Sequence, residues 1–328
     1  MSSDRILALS WLEVDSLLSL QLAIDAVTSA FEAHATGEAR LFPFVRERLE
    51  AESVCGIKSG YWPSRNLVGL KLAGYWPGNS KTGLSNHQAS VMLAEATSGR
   101  LLAVLDGNVI TSRRTAAAAV VATRVLARSR PQVFAILGCG GQGRDQAHAM
   151  VAAFESLAEL RLWDRSPERA ERLAGMLRVL AGARSIVIAS SAGEAAQGAD
   201  VIVTATASTS PILSREEIAP GAHVNAMGSD TAGKRELDPR LFEDGLLVVD
   251  DREQSRLLGE SQPPVIWQQG PPTIGEVLLG RRSGRGSDDQ ITIFDSTGIA
   301  LQDVAAADAA YREALRQGLG TSVPWSTI

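Results

Sequence analysis

Three glycines and one acid carry the clearest chemistry in this chain. Gly138, Gly140 and Gly143, in the run Gly138-Cys139-Gly140-Gly141-Gln142-Gly143, follow the short apolar segment Gln132–Leu137. They precede Arg144–Phe154, whose apolar residues recur at helical spacing. A glycine turn between a strand and a helix lets backbone N–H groups approach a pyrophosphate where the helix dipole favours an anion. The next apolar run, Glu159–Trp163, ends at Asp164, 21 residues beyond Gly143. Dinucleotide-binding folds place a ribose-binding acid at ~20. Asp164 would accept hydrogen bonds from the adenosine ribose and repel a 2′-phosphate, which favours NAD; the neighbouring Arg165 could instead welcome that phosphate, so NADP is the rival. Taken alone, the glycines also read as a tight turn with no ligand.

Further positions could hold or move charge. Lys71 is a lone charge inside the apolar run Leu67-Val-Gly-Leu-Lys71-Leu-Ala. A buried ammonium must meet an anion, shift its pKa or reach solvent, and the wet face of a half-exposed strand is the commoner place for a lysine. Arg113 and Arg114 fall in the first turn of a helix expected over Thr111–Arg128. Cations at that end cost up to about 1 kcal/mol. An anion docked there reverses the sign and invites a bidentate carboxylate clamp; two solvated arginines are the alternative. Asp230, in Met227-Gly-Ser-Asp230-Thr-Ala-Gly-Lys234, follows an apolar run. Beyond the carboxyl end of a parallel strand it could be a general acid or base, or it could close a turn. His87 occupies a polar loop, Leu84-Ser-Asn-His87-Gln88, whereas His34, His148 and His223 have no partner spacing. Cys139 reads as a small residue packing against a cofactor rather than as a nucleophile, and no metal constellation is visible.

The elements that must position these groups fall into two kinds. From Gln132 onward, short apolar runs (Gln132–Leu137, Glu159–Trp163, Ser185–Ala189, Asp200–Thr204, Ala222–Met227, Leu246–Val249) alternate with helical or loop segments, as in a doubly wound parallel sheet. Ser166-Pro167 marks a helix start between two of them. Residues 40–106 instead hold Phe42–Leu49, Leu67–Trp76, Ala89–Ala94 and Leu101–Leu105 with turn residues between, which reads as an antiparallel sheet. Val14–Ala35 and Gly298–Gly318 read as amphipathic helices, and Arg281–Asp289 as a mobile polar loop. The fold class expected is α/β: a Rossmann-type domain plus a smaller α+β domain.

Composition narrows the function. With 328 residues, 45% hydrophobic and 21% charged, the chain is long enough for two domains and is not disordered in the main. Its net charge of −5 supplies no footprint for nucleic acid. No uncharged apolar stretch approaches the ~18 residues a membrane span needs. Two cysteines, Cys55 and Cys139, make no disulfide framework, and MSSDRILALSWLEVD lacks the pattern of a signal peptide. A soluble cytoplasmic protein is expected, with neither nucleic acid nor membrane as partner.

Several of these segments, in order, resemble the ornithine cyclodeaminase/mu-crystallin family. They are Gly69-Leu-Lys71, Trp76-Pro-Gly-Asn79, Leu105-Asp-Gly107, Thr111-Ser-Arg-Arg114-Thr-Ala-Ala, the glycine turn, Met227-Gly-Ser-Asp230-Thr-Ala-Gly-Lys234, and Ser296-Thr-Gly298 with Gln302-Asp303. The resemblance implies that Lys71 and Arg114 bind the substrate carboxylate, that Asp230 is the catalytic acid/base with Lys71 beside it, and that Arg46 is a further carboxylate ligand, with Arg48 as its rival. It brings His87 to the substrate. For NAD it implies Gly138, Gly140, Gly141, Gln142 and Gly143, then Asp164 and Arg165, then Thr204, Met227 and Ser296. It further implies a substrate and dimerisation domain of residues 1–114 completed by a C-terminal helix in 299–328, a cofactor domain over 115–298, and a homodimer. Ser85-Asn86-His87 departs from the Pro-Thr of many relatives, and Gly143 from their Ala.

The shared chemistry of that family is hydride transfer between an amino acid's α-carbon and nicotinamide, through an imine. Asn86, His87, Arg48 and Arg113 add polar groups beyond those one carboxylate needs, and no second acid stands ready for an ornithine tail. The expected function is therefore NADH-linked reduction of a small α-imino acid, with iminosuccinate to aspartate as the specific expectation. Ornithine cyclodeamination with catalytic NAD, and mu-crystallin-like binding of nucleotide and small ligand without turnover, are the alternatives.

Overall fold

The computed structural model describes residues 5–182, 184–262, 267 and 270–325. In chain order its elements begin with β1 (Arg5–Leu9), α1 (Trp11–Leu17), α2 (Leu20–Thr36), β2 (Arg40–Leu41), β3 (Val45–Arg48), β4 (Val54–Trp62) and β5 (Leu67–Tyr75). Next come β6 (His87–Glu95), β7 (Leu101–Asp106), α3 (Gly107–Leu126), β8 (Val133–Leu137), α4 (Gly141–Ala153), β9 (Glu159–Trp163), α5 (Pro167–Ala181) and β10 (Ser185–Ile188). The remainder are α6 (Ala192–Ala196), β11 (Val201–Thr204), β12 (His223–Ala226), α7 (Leu241–Asp244), β13 (Leu246–Val249), α8 (Arg252–Leu258), α9 (Ile274–Leu278), β14 (Thr292–Asp295), α10 (Ala300–Gln317) and β15 (Thr321–Pro324). The chain divides into two compact units, one running to Arg114 and resuming at Ile299, the other Thr115–Gly298.

The first unit is built on an eight-stranded sheet in the order β15-β1-β7-β6-β5-β4-β2, with β3 also on β4. It is antiparallel except where β1 runs parallel to β7, so the sheet is mixed rather than antiparallel throughout. The strand expected over Phe42–Leu49 is shorter, β3 covering only Val45–Arg48, while β2 ends before it at Leu41. Helix α10 lies on one face: a Cβ at Gly69 would stand 2.6 Å from Val304, and one at Gly60 3.1 Å from Leu301. Small residues in β4 and β5 thus admit the helix, whose buried alanines Ala305, Ala306 and Ala307 match them. The single helix expected over Val14–Ala35 is two. The chain bends by 84° between α1 and α2, where the Ser19 hydroxyl accepts from the Leu22 amide and starts a new helix.

The second unit holds a seven-stranded, wholly parallel sheet in the order β10-β9-β8-β11-β12-β14-β13. Strand order reverses between β8 and β11, and ligands of such sheets bind at the carboxyl ends flanking that switch. Val201–Thr204, His223–Ala226 and Thr292–Asp295 are buried at every position, as strands covered on both faces must be. The Arg281–Asp289 loop, expected to be mobile, is pinned: Arg285 donates to the carbonyls of Leu126 (2.7 Å), Gly221 (3.0 Å) and Gln290 (2.6 Å). Among the described residues no single helix is long and apolar enough to cross a membrane.

Candidate active site

In the first unit the lone strand lysine is buried. Lys71, 4% exposed, stands on β5 with its ammonium 2.8 Å from Asp303 Oδ1 and 3.2 Å from the Thr111 hydroxyl. Arg114, 7% exposed, donates through Nε to the same Asp303 oxygen at 3.0 Å and through Nη1 to Gln302 at 3.4 Å. Two cations therefore share one carboxylate. Burial pulls the Lys71 ammonium down to about 7; Asp303 opposes this, while the charges of Arg114 and Lys58 add to it. Lysine and arginine together hold the Asp303 carboxyl below its ordinary range against the effect of burial. Asp303 Oδ2 and Gln302 Nε2 are buried without a hydrogen-bond partner. Two cations around one acid, with the Gln302 amide as an unmet donor, suit an incoming carboxylate.

Register shows which groups share this face. Lys58 pairs with Lys71 across β4 and β5, and Arg46 pairs with Gly56, two residues from Lys58. Cross-strand partners and their i+2 neighbours project to the same side, so Arg46, Lys58 and Lys71 share a face. So do Arg48, Val54, Tyr75 and His87, one pleat further along. Arg46 and Arg48 are both exposed there. From sequence Lys58 has no role, and Asp303 enters only within the matched run Gln302-Asp303, with no role of its own. The buried lysine demanded an acid, and nothing in spacing says that the acid comes from 232 residues away.

Arg113 and Arg114 stand away from the helix end at which the sequence places them. Helix α3 begins at Gly107, not Thr111, and Asp106 caps it by accepting from the Val109 amide at 2.9 Å. The arginines lie past the first turn, and the Asp106 carboxylate already stands at the helix start. Arg113 is turned to Asp15 at 2.6 Å, so it adds nothing to the Lys71 cluster. Asn86 is likewise occupied within its own loop, accepting from the Ser80 amide at 2.9 Å and donating to Tyr75 at 3.2 Å. His87 Nδ1 lies 3.0 Å from Asn108 Oδ1, and Asn108 donates to Asp106 at 3.3 Å, a relay that orients the imidazole with Nδ1 as donor.

In the second unit the glycine turn joins β8 to α4. Gly138 has φ +104°, and a Cβ there would stand 2.6 Å from the Ala205 carbonyl oxygen, in the segment leaving β11. At Gly143 a Cβ would reach within 1.8 Å of the Gly138 carbonyl oxygen, so the turn as built here requires glycine at that position. A Cβ added at Gly140 or Gly141 would meet no protein atom within 4 Å, so the turn is open on that side, as an approaching pyrophosphate needs. The Gln142 side-chain oxygen is buried without a partner. Asp164 accepts from the Cys139 amide (2.8 Å) and the Ser166 amide (2.9 Å), which sets both its carboxylate and the turn; Arg165 is exposed. Burial raises the Cys139 thiol to about 12, in keeping with a packing role.

The Thr204 hydroxyl is engaged by Glu236 at 2.6 Å, and Ser296 is buried beside Asp250 at 3.4 Å, so both act within the wall of the crevice. Met227 is half-buried at the end of β12. Asp230 follows it, its side chain half-exposed, 2.7 Å from Lys234 Nζ. These residues lie at the carboxyl ends of β11, β12 and β14, where the parallel sheet predicts a ligand.

Comparison with known proteins follows the same outline. A family profile described as ornithine cyclodeaminase/mu-crystallin matches residues 6–318. Alanine dehydrogenase of Archaeoglobus fulgidus is 36% identical over 324 residues, covering 96% of this chain and 97% of that protein. Iminosuccinate reductase of Paracoccus denitrificans is 37% identical over 318 residues, 95% of this chain and 97% of that one. A solved archaeal alanine dehydrogenase dimer with bound NAD superposes with a TM-score of 0.90 at 35% identity, over 97% of this chain and 99% of that one.

Proposed function

Because the chain belongs to the ornithine cyclodeaminase/mu-crystallin family, we propose that it is an NAD-dependent oxidoreductase that reduces a small α-imino acid to the amino acid, iminosuccinate to aspartate being its preferred reaction. NADH, when bound at the glycine turn, supplies the hydride. The observation that carries the reading is the buried pair Lys71 and Arg114 around one carboxylate, Asp303. Together with Arg46 they hold the substrate's α-carboxylate and so fix the imine carbon for transfer. Asp230 carries the proton of the amino or imino nitrogen. Asp164 selects NADH over NADPH by its charge.

Lys58 supports the dicarboxylic substrate. It adds a cation on the face of Lys71, suited to a distal carboxylate and hostile to the ammonium tail of ornithine. His87, on that face and oriented by Asn108, is the second candidate for the distal group. We also take the protein to be a homodimer. Val45, Ile57 and Leu72, register partners on the opposite face of the same sheet, are 48%, 38% and 44% exposed, and an apolar row of that kind suits a second copy.

The test is NADH consumption with a panel of 2-oxo acids plus ammonia or methylamine. Oxaloacetate should lead, and Lys58→Glu should hurt it more than pyruvate. Proline and ammonia formed from ornithine at constant NADH, with no oxo acid oxidising NADH, would install the cyclodeaminase reading. Light scattering reads the dimer.

A further inference from the structure

The loop that carries Asp230 is closed at its base by one buried carboxylate. Gly228, just past β12, and Glu236 bracket the loop, and the Gly228 amide donates to Glu236 Oε2 at 2.9 Å. The same oxygen accepts from the Thr204 hydroxyl at 2.6 Å. The other, Oε1, accepts from the amide (2.6 Å) and the hydroxyl (2.7 Å) of Thr206. An ionised carboxylate offers about four acceptor positions, and one amide with one hydroxyl on each oxygen fills them. The fit is close: a Cβ at Gly228 would stand 2.3 Å from the Thr206 carbonyl oxygen and 2.5 Å from the Glu236 carboxyl. Glu236 is fully buried, so it takes no part in the chemistry itself.

What this carboxylate joins gives it a consequence. On one side, the segment Thr204–Thr206 leaves β11 against the glycine turn, where a Cβ at Gly138 would stand 2.9 Å from Thr206 Cγ2. On the other, Asp230 follows Gly228 by two residues and pairs with Lys234 Nζ at 2.7 Å, an ammonium that also donates to the Gly228 carbonyl at 3.3 Å. The Glu236 backbone is fixed as well. Its carbonyl accepts from the Ile212 amide at 2.7 Å, and its amide donates to Glu260 at 2.6 Å, a carboxyl that also bonds the Ser229 hydroxyl. Hydride and proton must reach adjacent atoms of one substrate, so the acid has to stand at a fixed place relative to the cofactor turn. Glu236 is the group that ties the two together.

We propose that Glu236 is a positioning residue for Asp230, holding the loop Gly228–Glu236 to the strand end beside the glycine turn. The effect on turnover rests on the role given to Asp230 above, whereas the tie itself does not. Glu236→Gln keeps the shape but sets an NH2 group against one of two backbone amides that can only donate, so one tie is lost whichever way it turns. The amides of Gly233 and Lys234 are bonded to Gln262 and to the Thr231 carbonyl, not to Glu236. In Glu236→Gln they should nevertheless exchange hydrogen about tenfold faster than in wild type, with exchange in β8 and β9 unchanged. In the same variant kcat should fall by about 10- to 100-fold, the cost of a misplaced catalytic group, with KM and NADH affinity nearly unchanged. Thr206→Val removes one donor and should move both readings the same way by less, Thr206→Ser should restore them, and adding Thr206→Val to Glu236→Gln should change little. Exchange at Gly233 and Lys234 that stays at the wild-type rate, or a loss that falls on KM or NADH affinity with kcat intact, overturns the proposal. Should Glu236→Gln not fold, the exchange of Thr206→Val decides it by the same criterion. A wild-type chain that turns over no imino acid, while Glu236→Gln exchanges as described, would instead sink the functional reading and leave the tie standing.

Discussion

Lys71 and Arg114 share a single carboxylate inside the first unit, whereas Glu236, Glu260 and Asp295 crowd together inside the second. The two clusters resolve the cost of buried charge in opposite ways. Two cations are held by one acid, an arrangement that suits a further anion. The carboxylates are met by amides and hydroxyls of their own loops. A site suited to a charged ligand holds more cations than acids; a site that must hold a loop satisfies its charge within the chain.

The sharpest way to break this comparison is at Asp230, the half-exposed acid among buried ones. Asp230→Asn should lower kcat by about 10²- to 10⁴-fold, the usual worth of a general acid or base, and leave NADH binding intact in a fluorescence titration. Arg114→Ala comes next. Losing a charge-assisted contact of ~1.5–3 kcal/mol should lower kcat/KM by about 10- to 150-fold, mainly through KM. If cofactor affinity alone falls, Arg114 is not a substrate ligand.

Stability against pH sharpens the contrast further, because the two clusters have opposite signs. Burial first, then the charge of Glu236, raises Glu260 from 4.5 to about 8, so its contribution is full below 4.5 and is lost as pH rises through 8. Lys71 is lowered from 10.5 to about 7, so its contribution is full above 10.5 and is lost as pH falls through 7. Denaturant titrations of Glu260→Gln from pH 5 to 8 should therefore show a flatter dependence than wild type, by at most about 1.4 kcal/mol per pH unit. The smallest effect is expected at Asp164. Asp164→Ser should narrow the preference for NADH over NADPH by about fivefold, the value of ~1 kcal/mol between charges near water. A wild-type preference for NADPH would transfer the selection to Arg165.

Much of the parallel sheet was legible because each buried strand is a short apolar run closed by glycine, proline or an acid. The missed strands are instructive. In β4 (VCGIKSGYW) glycines and a lysine interrupt the alternation, and those glycines are there to admit Val45 and Leu301. Strand β14 (TIFD) has a threonine and an aspartate at its ends, so its apolar run is only two residues long, and it follows a polar loop. Strand β1 gains its place only by pairing with β7 and β15, whose residues are far away in the chain. The helix expected from Thr111 starts four residues earlier because Asp106, just past the expected strand Leu101–Leu105, caps it.

By itself the sequence determined the glycine turn, the acid at Asp164, the alternation of strands and helices, and the oddity of a lysine in an apolar run. All of these are local: each follows from backbone freedom, periodicity or the cost of burying one group. Tertiary structure alone decided that Asp303 answers Lys71 and Arg114, that Lys58 stands beside Lys71 while Arg113 turns to Asp15, and that Glu260 reaches the neighbour of Asp230. Such pairings depend on strand register and helix docking over long separations, and charge complementarity in a sequence rich in both signs is satisfied by many acids until the fold selects one.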